Sequence, residues 1–485
     1  MSMLFSRLRD LAASQPDQIA LRDSSQSMTY AELWQQIRAL AEHLSAAKIS
    51  RLALQLDNGL EWARIDLACT LAGIVVIPVP TFFSAQQYAW LLESSGADAL
   101  VGPAPADALA EKVPGLVHPL YRLQPARVPP LPAGTAKITY TSGTTGQPKG
   151  VCLSLEQLER TCASLAERIA PAGVAEHLTL LPLSTLLENL TGLYVPLMLG
   201  ASSRIPGLAE IGFKGSSQLD PEQLARTLLT YRPHSLVLVP ELMRLLIALC
   251  TQQPSIAESL RFVAVGGGKV APDMIEHARA LGLPVFEGYG LSECGSVVAL
   301  NAPGEDAVGT VGRPLPHLDV RIAEDGEILV SGACMLGYLA ETATPPQTIA
   351  TGDLGRIDEN GFLHITGRKK NVQITAFGRN FSPEWIESEA EMLPSIARLV
   401  IFGDGLAQNV ALIQPRPGNT QPIAEQIAQL NNRLPDYARV HHWFVPDMPL
   451  STASGLLTPN GRPRRDLIYQ TFQTRIHQLA QGAAS

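Results

Sequence analysis

Residues 51–79 read RLALQLDNGLEWARIDLACTLAGIVVIPV, and their reading decides the fold. RLALQL is a short apolar-rich run, NGLEWARIDLACTLAG has helical character, and IVVIPV is apolar almost throughout. A strand, a helix and a second strand with so little polar character form the repeating unit of a parallel sheet covered on both faces. Upstream, TYAELWQQIRALAEHL opens with Thr29 and Glu32 at capping-box spacing and places Leu33, Ile37, Leu40 and Leu44 on one helical face. Downstream, the apolar runs KITY, HLTLLPL, SLVLV and RFVAV alternate with helical stretches such as PEQLARTLLTY and PELMRLLIALC. The first two-thirds of the chain therefore predicts a doubly wound α/β architecture. From about Gly326 the rhythm changes to short strands and tight turns, as in GEILVSG and DENGFLHITGR, and the last hundred or so residues alternate strands with two amphipathic helices. The charged GRKKN stretch at residues 367–371 is the expected boundary, and the Pro-rich residues 125–132 read as a linker inside the larger unit.

Composition narrows the function. The chain has 485 residues, of which 46% are hydrophobic and 17% charged, so it can bury a large core and is neither disordered nor collagen-like. The net charge is −8 and no run of Lys and Arg is long enough to follow a phosphate backbone, which argues against a nucleic-acid partner. Six scattered cysteines, with no CxxC pair and no His at metal-ligand spacing, read as reduced thiols of a cytoplasmic protein. The N-terminus lacks the apolar core of a signal peptide, and no segment has the length of a transmembrane span. TLLENLTGLYVPLMLG comes nearest; its Glu188 and short length predict a buried helix, with peripheral membrane contact left open.

Residues 139–151, TYTSGTTGQPKGV, follow a predicted strand and combine three glycines, five Ser and Thr hydroxyls and Lys149. Such a loop suits polyphosphate: glycines let backbone N–H groups approach the oxygens, hydroxyls donate further bonds, and the lysine supplies a point charge. It is not a Walker A sequence. The segment closely resembles the phosphate-binding signature of the adenylate-forming superfamily, which includes acyl-CoA synthetases, peptide-synthetase adenylation domains and firefly luciferase. Further family motifs follow in the same order, so the resemblance covers nearly the whole chain.

The resemblance implies a fold and a set of roles. The fold is a large N-terminal domain of doubly wound α/β layers with an associated β-barrel-like part, residues 1–369, and a small mobile α+β domain, residues 370–485. Thr141, Ser142, Gly143, Thr144, Thr145, Gly146 and Lys149 would hold the phosphates of ATP. In VFEGYGLSE, Glu287, Gly288, Tyr289, Gly290 and Ser292 belong to the adenine-binding motif. Its Tyr289 offers a flat face, and Glu293, with Thr145, would bind Mg²⁺. Gly267 and Gly268 would border adenine and the acyl pocket, Asp353 would accept from the ribose hydroxyls, Arg368 would contact ribose or phosphate, and Lys370 would be the hinge.

Two positions depart from the family. In LPLSTLLENL, Thr185 stands where long-chain acyl-CoA synthetases carry a histidine near the acid pocket, while Glu188 is retained; a gating role and simple packing are both open. In GLLTPNGRPRRD, Arg462 stands where relatives carry the lysine that bridges substrate carboxylate and α-phosphate, and no lysine follows Lys370. Arginine keeps the charge but presents a planar fork, so the exchange is not conservative at a two-oxygen contact. Lysine is scarce throughout, eight against 29 arginines, which favours a working arginine; weak adenylation and specialisation for the thioester step are the alternatives.

The expected activity is ATP-dependent activation of a carboxylic acid, a medium- or long-chain fatty acid by motif, to acyl-AMP with pyrophosphate release, followed by transfer to a thiol. CoA is the default acceptor. The phosphopantetheine arm of an acyl carrier protein presents the same thiol and stays open. A non-catalytic nucleotide-binding homologue is the reading of another class, distinguished by ATP binding without pyrophosphate release.

Overall fold

The computed structural model describes residues 2–105, 109–141, 148–214, 218–341, 344–377, 379–458 and 461–481. The deciding segment folds as read: strand Arg51–Leu54, helix Leu60–Ala72 and strand Val75–Pro78, with the strands parallel and Arg51 opposite Val75. All four residues of Val75–Pro78 are buried, which is why the run needs no polar alternation. Helix Tyr30–Ala46 begins at the expected capping box. The Glu32 N–H donates to Thr29 Oγ1 at 3.2 Å, and the Thr29 N–H donates to Glu32 Oε2 at 2.8 Å.

Two large sheets carry the first two-thirds. In one, strand Thr135–Thr141 lies between Val75–Pro78 and the antiparallel Lys149–Ser154, with Thr141 opposite Lys149. In the other, Glu176–Leu178 has Ser202–Arg204 on one side and Ser235–Leu238 on the other, and Phe262–Val265 and Val285–Tyr289 follow outward from Ser235–Leu238, all parallel. Chain order thus reverses between Glu176–Leu178 and Ser235–Leu238. The crevice beyond the carboxyl ends of strands at such a reversal is where open α/β sheets bind ligands. The barrel-like part takes the form of a four-stranded antiparallel sheet, Leu318–Ile322, Glu327–Gly332, Thr348–Ile357 and Leu363–Arg368.

Residues 186–199 are not one regular helix. A turn at Leu186–Glu188 passes into a π-helical stretch, Asn189–Tyr194, before Val195–Leu199. The segment is largely buried, as expected. The wider turn accompanies Asn189 and Tyr194 meeting Asp66 and Lys137 in the core, a polar demand that helical periodicity does not reveal.

After residue 380 the chain forms its own apolar clusters. A three-stranded sheet, Ile396–Phe402, Val410–Pro415 and His442–Phe444, is packed by helices Pro383–Ala390, Ile423–Arg433 and Arg465–Ala480. That is one helix more than the sequence suggests, and Pro383–Ala390 is the shortest of the three, spanning about two turns.

Candidate active site

Asp353 and Arg368 face each other across neighbouring strands, a register that forces the two side chains together. The Arg368 Nε lies 2.7 Å from Asp353 Oδ1, and the Tyr289 hydroxyl, from the end of strand Val285–Tyr289, donates to Asp353 Oδ2 at 2.6 Å. Three residues from three separate motifs therefore form one cluster. Burial raises the Asp353 carboxyl above its ordinary range, with the Arg368 charge and the Tyr289 hydrogen bond opposing that shift. A carboxylate already aligned by two donors is an acceptor with its orientation set, the requirement for gripping a ribose diol.

Glycines shape the backbone beside this cluster. Gly267 adopts φ +79°, and a side chain at Gly290 would place Cβ 1.9 Å from the Ser296 carbonyl oxygen, so neither turn tolerates substitution. The Gly267 carbonyl accepts a hydrogen bond from the Arg462 guanidinium. Arg462 itself projects from a turn closed by Thr458, whose N–H donates to the Arg462 carbonyl at 2.8 Å and whose Oγ1 accepts from the Arg462 N–H at 3.0 Å. The residue at the anomalous position is thus directed from the C-terminal unit into the crevice, within the fields of Arg368 and Asp353.

Lys149 and Glu293 meet across Tyr338, which sequence reasoning missed. The Lys149 Nζ sits 5.4 Å from the Tyr338 ring centre, and the Tyr338 hydroxyl donates to Glu293 Oε1 at 2.9 Å. Tyr338 arrives through antiparallel pairing with Val151, a contact with no local signal. Thr141 and Lys149 pair at the ends of the segment read from sequence as phosphate-binding; Ser142, Gly143, Thr144, Thr145 and Gly146 lie outside the described residues. Ser292 opens the short 3₁₀ turn that carries Glu293. The half-buried Tyr289 with the Asp353 carboxylate, and Lys149 with the Glu293 carboxylate across Tyr338, are residue types that suit the parts of a magnesium-bound nucleotide.

Other candidates sit at different depths. Gly288 lies in the strand beside Leu300, and Gly268 abuts Pro240. Lys370 is exposed in the 3₁₀ turn Lys369–Asn371, while its neighbour Lys369 is tied to Asp325 and Glu327 at 2.6 and 2.8 Å. Thr185 donates through Oγ1 to the Pro182 carbonyl at 2.7 Å, closing the turn into the segment that carries Glu188. Glu188 is fully buried with His177 Nε2 3.6 Å away, and burial raises its carboxyl.

Glu287 is buried beside Lys269, and burial pushes its carboxyl up to about 8. The unfolded chain ionises Glu287 near 4.5 while the folded protein holds the proton to about 8, so stability falls as pH rises between those values. The slope attributable to this group reaches at most roughly 1.4 kcal/mol per pH unit. Glu287→Gln is expected to flatten it, gaining stability over the natural protein at high pH and little at low pH. Urea unfolding at about pH 5 and about pH 8 measures the difference; a variant whose stability falls in parallel with the parent contradicts the assignment.

Residues 8–339 match the family model for AMP-binding enzymes, and residues 371–483 match that for the AMP-binding enzyme C-terminal domain. The chain belongs to the AMP-binding enzyme family. Long-chain-fatty-acid–CoA ligase FadD15 of Mycobacterium bovis is 29% identical, with 93% of this chain and 92% of that protein aligned. The 2-succinylbenzoate–CoA ligase of Bacillus subtilis is 26% identical, over 92% and 94%. Among solved structures, the Bacillus subtilis o-succinylbenzoate CoA synthetase with its acyl-adenylate intermediate superposes with a TM-score of 0.75 at 23% identity, over 95% and 97% of the two chains. ATP-bound MatB from Rhodopseudomonas palustris gives 0.78 at 22%, over 98% and 100%. The doubly wound fold with its smaller C-terminal unit is that of these enzymes.

Proposed function

We propose that this AMP-binding enzyme activates a fatty acid of medium or long chain as its acyl-adenylate and then transfers the acyl group to CoA. As an AMP-forming acid–thiol ligase it uses ATP, Mg²⁺ and CoA. The observation that carries the reading is the meeting of Tyr289, at the carboxyl end of its parallel strand, with Asp353 and Arg368, and of Arg462 with the Gly267 turn that follows the neighbouring parallel strand. In this reading Asp353 orients the ribose, Tyr289 stacks on adenine, Lys149 and the loop after Thr141 hold the phosphates, and Arg462 faces the α-phosphate. Mg²⁺, held by Glu293 and Thr145, would neutralise phosphate charge. The acid's carboxylate oxygen attacks the α-phosphorus in line and pyrophosphate leaves; the work of the protein is positioning and charge stabilisation. Residues 370–485 then turn about Lys370, and the thiol sulfur attacks the acyl carbonyl carbon, expelling AMP.

Likeness to a long-chain-fatty-acid–CoA ligase supports the fatty acid, as do Leu181 and Val239, apolar residues that keep solvent contact near the reversal point. Likeness to 2-succinylbenzoate–CoA ligases favours a second reading, an aromatic keto acid. Six free thiols suit work in the reducing cytoplasm. Pyrophosphate release from MgATP, measured across acids from acetate to palmitate and with 2-succinylbenzoate, decides between them. Release with palmitate that CoA accelerates supports the proposal, and release with 2-succinylbenzoate alone replaces the substrate. Acceleration by an acyl carrier protein but not CoA changes the acceptor. ATP binding without release for any acid returns the non-catalytic homologue.

A further inference from the structure

Arg462 can act only if the C-terminal unit is held against the large one, and among the described residues two ion pairs cross that boundary. Helix Pro240–Gln252 begins beside Gly268, in the turn whose Gly267 receives Arg462, and one turn further on it presents Arg244. The Arg244 guanidinium lies 2.7 Å from Glu391 Oε2, just past helix Pro383–Ala390 of the C-terminal unit. Both side chains are about three-quarters buried, 22% and 25% exposed, so the pair is shielded from salt and water. Glu241 stands 3.6 Å from Arg244 on the same helix, Arg398 lies in the same field from the other side, and Met392 packs into the apolar cluster of the large unit. The other ion pair across this boundary, Arg433 with Asp273, is more than half exposed on both sides, and such pairs contribute little.

We infer that Arg244 and Glu391 are positioning residues: their ion pair clamps the C-terminal unit in the orientation that brings Arg462 to Gly267, and it opens before the thiol step. The inference rests on the two-step reading above, with motion about Lys370 between steps. A clamp of this kind favours one half-reaction over the other, whereas a merely structural contact supports both equally.

The test compares the natural protein with Arg244→Gln, Glu391→Gln, the exchanged pair Arg244→Glu with Glu391→Arg, and Arg433→Gln. The exchanged pair gathers acids on the large unit and arginines on the small one, so the attraction across the boundary survives. Each single variant is expected to slow pyrophosphate release about tenfold, the size of a contact-pair coupling. Transfer from a supplied acyl-adenylate to CoA stays within about twofold in the same proteins. The exchanged pair recovers most of the loss, and Arg433→Gln behaves as the parent. Equal losses in both half-reactions, no loss in either, or an exchanged pair as slow as the single variants would overturn the clamp. Tryptic cleavage at the Arg368–Lys370 linker reads the same clamp without activity: faster cutting in the single variants than in the parent and the exchanged pair supports it, and uniform cutting refutes it. A natural protein that releases no pyrophosphate with any acid sinks the functional reading instead, and the cleavage pattern still decides the clamp.

Discussion

Arg462→Ala is expected to form acyl-adenylate about 10²- to 10³-fold more slowly than the natural protein, the usual cost of removing one donor aimed at developing charge. Arg462 is the only described cationic side chain of the C-terminal unit that hydrogen-bonds to the Gly267 turn, and lysine is absent from the chain beyond Lys370. Transfer of the acyl group from a supplied acyl-adenylate to CoA should be nearly unchanged, because the proposed motion withdraws Arg462 before that step. Arg462→Lys separates charge from shape. Lysine presents a compact ammonium where arginine presents a planar fork, so full activity in the lysine variant makes charge sufficient, and a loss makes the fork part of this enzyme's site. Single-turnover pyrophosphate release measures both variants. Equal slowing of the two half-reactions, or none, would remove Arg462 from the role assigned to it.

Lys137→Met is expected to destabilise the fold by about 3 to 5 kcal/mol, because it leaves a buried carboxylate without its cation. Lys137 is 1% exposed and Asp66 is completely buried, with Nζ 2.7 Å from Oδ1. The Tyr194 hydroxyl donates to Asp66 Oδ2 at 2.7 Å, the Asn189 amide donates to the same oxygen at 3.2 Å, and Lys137 also donates to Asn189 Oδ1. Lys137 lies four residues before Thr141 on the strand that leads to the proposed phosphate loop, so weaker ATP binding is expected beside the loss of stability. Replacing both partners, Lys137→Met with Asp66→Leu, should restore part of the loss, since a buried pair exchanged for apolar groups is often close to neutral. Urea unfolding of the three proteins gives the comparison. A single variant within about 1 kcal/mol of the parent would show that the remaining donors satisfy Asp66 alone.

Much of this was legible in the linear sequence, for identifiable reasons. The apolar run Val75–Pro78 and the capping box at Thr29 are local features, and local features survive folding unchanged. Tyr289, Asp353, Arg368 and Arg462 were singled out because each lies in a short motif that resembles one of the family's, and the structure brings them into one neighbourhood. Tyr338 belongs to no such motif, and its hydroxyl reaches Glu293 only because its strand pairs with the one that starts at Lys149. The π-helical stretch was hidden because its partners, Asp66 and Lys137, lie far away in sequence.

The residues alone determined the α/β layers and the order of the motifs, since these follow from apolarity, periodicity and spacing, and resemblance of those motifs to a family pointed to the candidate site. Only the tertiary structure decided that Asp353 is gripped by Tyr289 64 residues away, that Lys137 answers an aspartate 71 residues away, and that Arg462 reaches Gly267 across 195. Pairings at such distances depend on strand register and on how two units meet, and neither is encoded in any local stretch of chain.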